Sequence, residues 1–338
     1  MSEEMALWVS RATASGGFGV VLFFVLSSYL ITELLLREFE QRGILDVKSF
    51  YIRRALRIWP LYFFFLVVAF LIIPQQSDYS IKTNFFIPMM LFVGNWACVF
   101  AGGMGASVAA PLWSISVEEQ FYIAWPLIIS KVGVKHLKRV CLGLIVIANL
   151  TRVIMEKKGA GFVAFWCSTV TWFDAIAAGA LFAILLRGRV PRWSLVTRLL
   201  LCVGGLVVWV LSIRFGNQLI YPDIFQYPLV IFGSCLLLVG VLGSNLRSPI
   251  LVYLGRISYG LYVFHSAALA LASLVFVVYS PLCALAGLVI TLSLGSASYA
   301  LLEQPFLKLK KRFTYVTSER VALGESGGTI LAREVNPN

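Results

Sequence analysis

FGVVLFFVLSSYLITELLL, residues 18–36, is apolar almost throughout and long enough to span lipid. A helix of about 20 mostly apolar residues crosses the hydrocarbon core of a bilayer. The hydroxyls in this run, on Ser27, Ser28, Tyr29 and Thr32, are of the kind that bond to their own backbone or to a neighbouring membrane helix. Similar runs recur near 58–74, 85–101, 120–134, 139–154, 162–186, 198–213, 224–243, 257–278 and 281–302. They are continuously apolar rather than alternating, which excludes a closed β-barrel. The expected fold class is all-α, a polytopic transmembrane helical bundle of about nine to ten membrane segments.

Composition points the same way. The 338 residues are 59% hydrophobic and 13% charged, with a mean hydropathy of +0.87, whereas an ordinary soluble domain carries about 25% charge. A net charge of +12 would suggest nucleic acid for a soluble protein, but here the 28 Lys and Arg cluster in short links between apolar runs. That pattern excludes a nucleic-acid partner and points to membrane lipids, with an anionic ligand as a further partner. The six cysteines, Cys98, Cys141, Cys167, Cys202, Cys235 and Cys283, lie scattered in apolar segments and read as small hydrophobes. The opening MSEEMALWVSRATASGG is acidic and has no apolar core ahead of a cleavage site, so 18–36 reads as an uncleaved span. The expected division is a short N-terminal segment 1–17, a membrane domain 18–306 and a polar tail 307–338.

Charge in the links discriminates between topologies. If all ten runs cross, one side receives 10 of the basic residues and the other 18. If 85–101 dips in and returns, nine cross, and one side gathers 22 of the 28. The positive-inside rule favours the second arrangement. It puts the basic links and the C-terminal tail in the cytoplasm of a cell membrane, the first residues outside, and 85–101 in a re-entrant position.

The polar residues that interrupt the apolar runs are the candidates for chemistry. In APLWSISVEEQFYIAWP, residues 110–126, Ser116 and Glu119 fit a capping box, with both carboxylates near the positive end of a helix. Against that structural reading, an intramembrane carboxylate is costly unless paired or wetted, which makes it a functional candidate by default. Glu118 shares a helix face with Ser114 and Tyr122, and the two readings stay open on spacing alone. In FYIRRALRIWPLYF, residues 50–63, Arg53 and Arg57 are four apart, with Arg54 nearly on the same face. Such a fork suits phosphate, although it also serves as a headgroup anchor. His265 follows Tyr262 and Ser258 at helical spacings in LGRISYGLYVFHSAALAL. His136 falls in a basic link and reads as a surface residue, and Asp174 as either an arginine partner or an N-terminal helix charge. No His, Cys and acid cluster has metal-ligand spacing, so no metal is expected.

Taken in order, GGFGVVLFFVLSSYLIT, FYIRRALRIWPLYF, LWSISVEEQFYIAWPL, FDAIAAGALFA, LGRISYGLYVFH and LLEQPFLKL resemble the motifs of the acyltransferase 3 family of multi-pass membrane O-acyltransferases. The likeness covers roughly 16–312. It implies transfer of an acyl group, commonly acetyl, from acyl-CoA as a co-substrate to a hydroxyl of a cell-envelope or secreted glycan or glycolipid, with no bound cofactor. By the same resemblance Arg53, Arg54 and Arg57 would hold the donor, and Ser114, Ser116 and Glu118 would line the reaction cavity with Tyr122. His265 ends the matching histidine motif, Asp174 adds to the substrate set, and Glu303 with Pro305 matches the terminal E-x-P.

Two departures stand out. The family's presumed catalytic histidine lies in an additional helix just upstream of the motif that opens here at Gly16, and the first 17 residues hold Trp8 and Arg11 but no histidine. Three explanations are open: a late start to the chain, which the survival of the other motifs favours; substitution by another base such as His265 or Glu118; or an inactive copy within a polysaccharide assembly complex. Trp172 stands where the resemblance puts an arginine, two residues before Asp174. A transporter that uses Glu118, Asp174 and His265 as a proton path is the competing class, but the repeated halves that would favour it are absent.

Overall fold

A computed structural model describes residues 15–213, 224–244, 248–278 and 280–314, and every regular element among them is helical. The first apolar run extends into α1 (Phe18–Arg42), which Gly43 ends at φ 72° while its N–H bonds the Phe39 carbonyl. Asp46 then caps α2 (Val47–Ile72), accepting from the Ser49 N–H at 3.0 Å. Most of the expected link 37–57 is therefore helix. The three arginines and Pro60 lie within α2.

Residues 85–101 do not form one crossing helix. They break into α3 (Thr83–Met90) and α4 (Gly94–Ala101), each of 8 residues. At 1.5 Å per residue each is about 12 Å long, against a hydrocarbon core of about 30 Å. The break passes through Phe92, whose φ of 55° is left-handed and whose ring stacks on Tyr62 at 4.7 Å. A short 3-10 turn at Ala110–Leu112 leads into α5 (Trp113–Val132), followed by α6 (Leu137–Lys157). The expected segment 162–186 is also divided, into α7 (Phe162–Cys167) and α8 (Phe173–Leu186). Next come α9 (Leu195–Ser212), α10 (Gln226–Val241), α11 (Pro249–Ser273) and α12 (Pro281–Ser298). A π-helical turn at Tyr299–Glu303 joins α12 to α13 (Gln304–Lys310).

Four helical stretches are both long and apolar enough to cross a membrane: Phe18–Arg42, Val47–Ile72, Leu195–Ser212 and Pro281–Phe313. Val170–Leu186 and Gln226–Val241 are apolar but shorter, and the other helices are shorter still or more polar. The count of nine to ten segments thus exceeds what length and hydropathy of the described helices support. Both 162–186, expected to cross, and 85–101, expected to dip in and return, are broken helices, a distinction that apolar composition does not carry.

The core forms around α1, which packs on α8, α10 and α5. A Cβ at Gly179 of α8 would collide with the Val25 carbonyl and the Ser28 hydroxyl, so the two backbones meet directly. Close approach through small residues is how helices associate in lipid, where hydrophobic burial offers little drive. In contrast, α9 exposes Leu195, Val196, Leu199, Leu200 and Val203, a surface suited to hydrocarbon rather than water. Helical structure continues to Phe313, past the expected boundary at residue 306, and the Arg53 guanidinium fastens it by donating to the Phe313 carbonyl at 2.7 Å. Residues 1–14 and the tail beyond Thr314 lie outside the described residues.

Candidate functional site

A cavity of about 1570 Å³ lies beside α1, and its lining follows that helix from Gly17 to Glu38. Phe18 to Glu38 spans about 30 Å of helix rise, comparable to the hydrocarbon thickness of a bilayer. Toward Glu38 the wall carries Arg53, Arg54 and Arg57 from α2 with Lys310 and Lys311 beyond the π-helical turn. Toward Gly17 it is formed by Gly102, Gly103, Pro111 and Trp166. Between these ends lie Ser27, Glu118, Tyr122, Tyr262 and His265.

The three arginines differ in what holds them. Arg53 is buried and spent within the protein, donating to Glu38 Oε2 at 2.8 Å as well as to the Phe313 carbonyl. Arg54 lies over the Phe50 and Tyr122 rings, 5.7 and 5.4 Å from their centroids, and its buried Nε has no hydrogen-bond partner among the described residues. Arg57 is exposed on the cavity wall. The fork expected from spacing therefore reduces to Arg54 and Arg57, with Arg53 supporting the scaffold.

On α5 the i, i+4 spacing of Glu118 and Tyr122 does produce contact. The Tyr122 hydroxyl donates to Glu118 Oε1, and both side chains are buried in the cavity wall. Arg54 and Arg57 lie close enough to act on the Glu118 charge, with the Ser27 hydroxyl adjacent. Ser114 does not line the cavity, but its Oγ is 2.6 Å from the hydroxyl of Tyr262, which does, and Tyr262 also donates to the Pro111 carbonyl at 2.6 Å. His265 holds Nδ1 2.5 Å from the Tyr262 carbonyl of its own helix. A carbonyl only accepts, so Nδ1 carries a proton, and Nε2 is the ring nitrogen not engaged in that bond.

Besides Ser114, two expected site residues lie off the cavity wall. Ser116 is not an N-cap: α5 starts three residues earlier, after the turn at Pro111, and Ser116 is inside the helix. Its Oγ is buried without a partner among the described residues and does not line the cavity. Glu119 consequently does not close a capping box; its Oε2 accepts from the Trp59 indole at 3.2 Å. Asp174 is also outside the cavity wall. Arg152 of α6 grips it through both terminal nitrogens, at 2.5 and 2.7 Å, and the Asp174 Oδ1 accepts from the Ala175 N–H at the start of α8. Both alternatives read from sequence hold at once.

Gln120 was not singled out in the sequence, although it is a polar residue within the most distinctive motif. Its amide donates to the Phe92 carbonyl and to Asn95 Oδ1, both at 2.9 Å, while its Oε1 accepts from Thr169 at 2.6 Å. Asn95 in turn donates to the Cys167 carbonyl at 3.0 Å. One side chain of α5 thus ties the broken α3–α4 segment to the turn between α7 and α8, alongside the cavity.

Comparison with known proteins places this geometry. The acyltransferase 3 family model, described as an acyltransferase domain, matches residues 2–300. The chain is 28% identical to the peptidoglycan O-acetyltransferase OatA of Listeria monocytogenes over 90% of its own length and 53% of that protein's. It is equally identical, at 28%, to a protein named as a candidate O-acetyltransferase in Staphylococcus aureus strain COL, over 89% of this chain and 54% of that one. A candidate peptidoglycan O-acetyltransferase of Bacillus subtilis shares 26% identity over 86% and 51% of the two chains. The chain spans about half the length of these curated relatives. No solved structure matches it.

Proposed function

The chain belongs to the acyltransferase 3 family, and from that membership we propose that it transfers an acetyl group from acetyl-CoA to a hydroxyl of a cell-envelope polymer. The observation that carries this reading is the cavity of about 1570 Å³, which joins a basic mouth to a wall of proton-handling groups along α1 as far as Glu38. The proposed placement is in the cell membrane with the basic mouth cytoplasmic, where acyl-CoA is available. Relatives named for peptidoglycan O-acetylation support an envelope glycan as acceptor.

In such a transfer the acceptor oxygen attacks the thioester carbonyl carbon, the C–S bond breaks, and coenzyme A leaves as the thiol. The hydroxyl proton must go to a base whose pKa lies near operating pH, the usual role of histidine. Among the described residues His265 fits that role, because Nδ1 is tied to the Tyr262 carbonyl and Nε2 is the ring nitrogen not engaged in that bond. Glu118 and Tyr122 hold the wall opposite Arg54, whose guanidinium covers the Tyr122 ring. Their contribution is to fix the donor's orientation, and positioning of this kind is worth several kcal/mol of a transfer barrier. Arg57 adds charge for the donor phosphates.

Membranes containing the chain, incubated with acetyl-CoA labelled in the acetyl group, test the proposal. Alkali-labile label in envelope polymer, absent from membranes without the chain, is expected. Label that stays in coenzyme A or appears only as free acetate overturns it.

A further inference from the structure

The basic mouth holds more positive charge than the arginine motif provides. Arg53 is neutralised by Glu38 at 2.8 Å, so its charge is not offered to a ligand. Arg54, Arg57, Lys310 and Lys311 remain on the wall. Lys310 is close enough to all three arginines to feel their charge. No salt bridge is formed by any of these four among the described residues. Glu118, already accepting from Tyr122, lines the cavity beside them, and Glu119 and Glu303, off the wall, lie near Arg54 and Arg57. Like charges gathered at a partly buried, low-dielectric wall repel, and such an arrangement is stabilised by a bound polyanion.

The chain brings the two lysines there by a specific route. The π-helical turn at Tyr299–Glu303 redirects α12 into α13, α13 packs on α2, and the Arg53 bond to the Phe313 carbonyl at 2.7 Å pins the following turn. Arg53 thus acts on the mouth by holding the segment that carries Lys310 and Lys311.

We propose that Lys310 and Lys311 complete the donor site, taking the 3′-phosphate of the acyl-CoA while Arg54 and Arg57 take its pyrophosphate. This rests on the donor reading above and extends it to residues at the end of the helical bundle. The pyrophosphate and the 3′-phosphomonoester together carry about three to four negative charges near neutral pH, more than two arginines alone would offset, and Lys310 and Lys311 share the same wall. Two arginines alone match the pyrophosphate; the lysines supply the point charges that a second phosphate group requires.

The test is equilibrium binding of coenzyme A and dephospho-coenzyme A to the full chain in nanodiscs of phosphatidylcholine, repeated with phosphatidylglycerol present. For the Lys310→Gln/Lys311→Gln double variant, coenzyme A affinity is expected to fall about tenfold or more, with a smaller loss for dephospho-coenzyme A. Lys308→Gln, an exposed change on the same helix away from the cavity wall, is expected to bind like the parent. A double variant that binds coenzyme A as tightly as the parent overturns the inference alone. Loss of binding only when phosphatidylglycerol is present assigns the lysines to lipid headgroups and overturns it as well. A parent chain that binds no coenzyme A in either nanodisc overturns the donor reading and this inference with it.

Discussion

The Tyr122 hydroxyl donates to the Glu118 carboxylate, and the same Tyr122 ring supports the Arg54 guanidinium 5.4 Å from its centroid. One residue thereby couples an acid of α5 to a cation of α2 across the cavity wall. Tyr122→Phe keeps the ring and removes the donor. A hydrogen bond to a charged group contributes about 1.5–3 kcal/mol, so acetyl transfer is expected to drop about ten- to a hundredfold, and the buried Glu118 carboxylate left without that donor lowers the melting temperature modestly as well. Transfer rates measured beside a melting curve check both parts, and an unchanged rate removes Tyr122 from the donor-positioning role.

The Arg152–Asp174 pair makes the opposite prediction. It is buried and bidentate, it lies outside the cavity, and the Arg152 guanidinium also donates to the Thr171 carbonyl and covers the Tyr227 ring at 4.6 Å. Removing one partner strands the other charge in a water-poor interior, at a cost of about 3–5 kcal/mol. Asp174→Asn is therefore expected to lower the melting temperature in detergent markedly. Arg152→Met combined with Asp174→Leu should recover much of the loss. A double change as damaging as the single one would show that the pair does more than neutralise itself.

Gln120→Leu should loosen the broken α3–α4 segment selectively. The change leaves the Phe92 carbonyl, Asn95 Oδ1 and the Thr169 hydroxyl without that partner, and a stranded buried polar group costs about 1–3 kcal/mol. Faster amide exchange over residues 83–101, with α1 and α8 unaffected, is the expected readout. Uniform acceleration across the bundle would mean that the side chain supports the fold as a whole.

These tests follow the division between what helical spacing reveals and what it hides. Apolar runs gave the all-helical class, and contacts within one helix were legible: Glu118 with Tyr122, and His265 with Tyr262. Contacts between helices were not. Arg53 looks like Arg54 and Arg57 until Glu38 and the Phe313 carbonyl, 260 residues away, are placed beside it. Asp174 reads two ways from spacing alone because its partner Arg152 is 22 residues upstream on another helix. The capping box at Ser116 fitted the local pattern, but Pro111 starts the helical path earlier and leaves Ser116 in the interior. The break at Phe92 depends on the Tyr62 ring and on Gln120, neither of which an apolar run reports. The expectation about a histidine ahead of α1 falls on residues 1–14 or before them, outside the described residues.

The most direct test of the account is acetyl transfer by His265→Gln compared with the parent chain in matched membranes. Glutamine retains hydrogen-bonding ability but cannot take the acceptor proton, and general-base catalysis contributes about a hundredfold or more. The account predicts that alkali-labile acetyl ester on the envelope polymer falls by at least that factor while coenzyme A binding is preserved. Transfer at the parent rate in His265→Gln would contradict it.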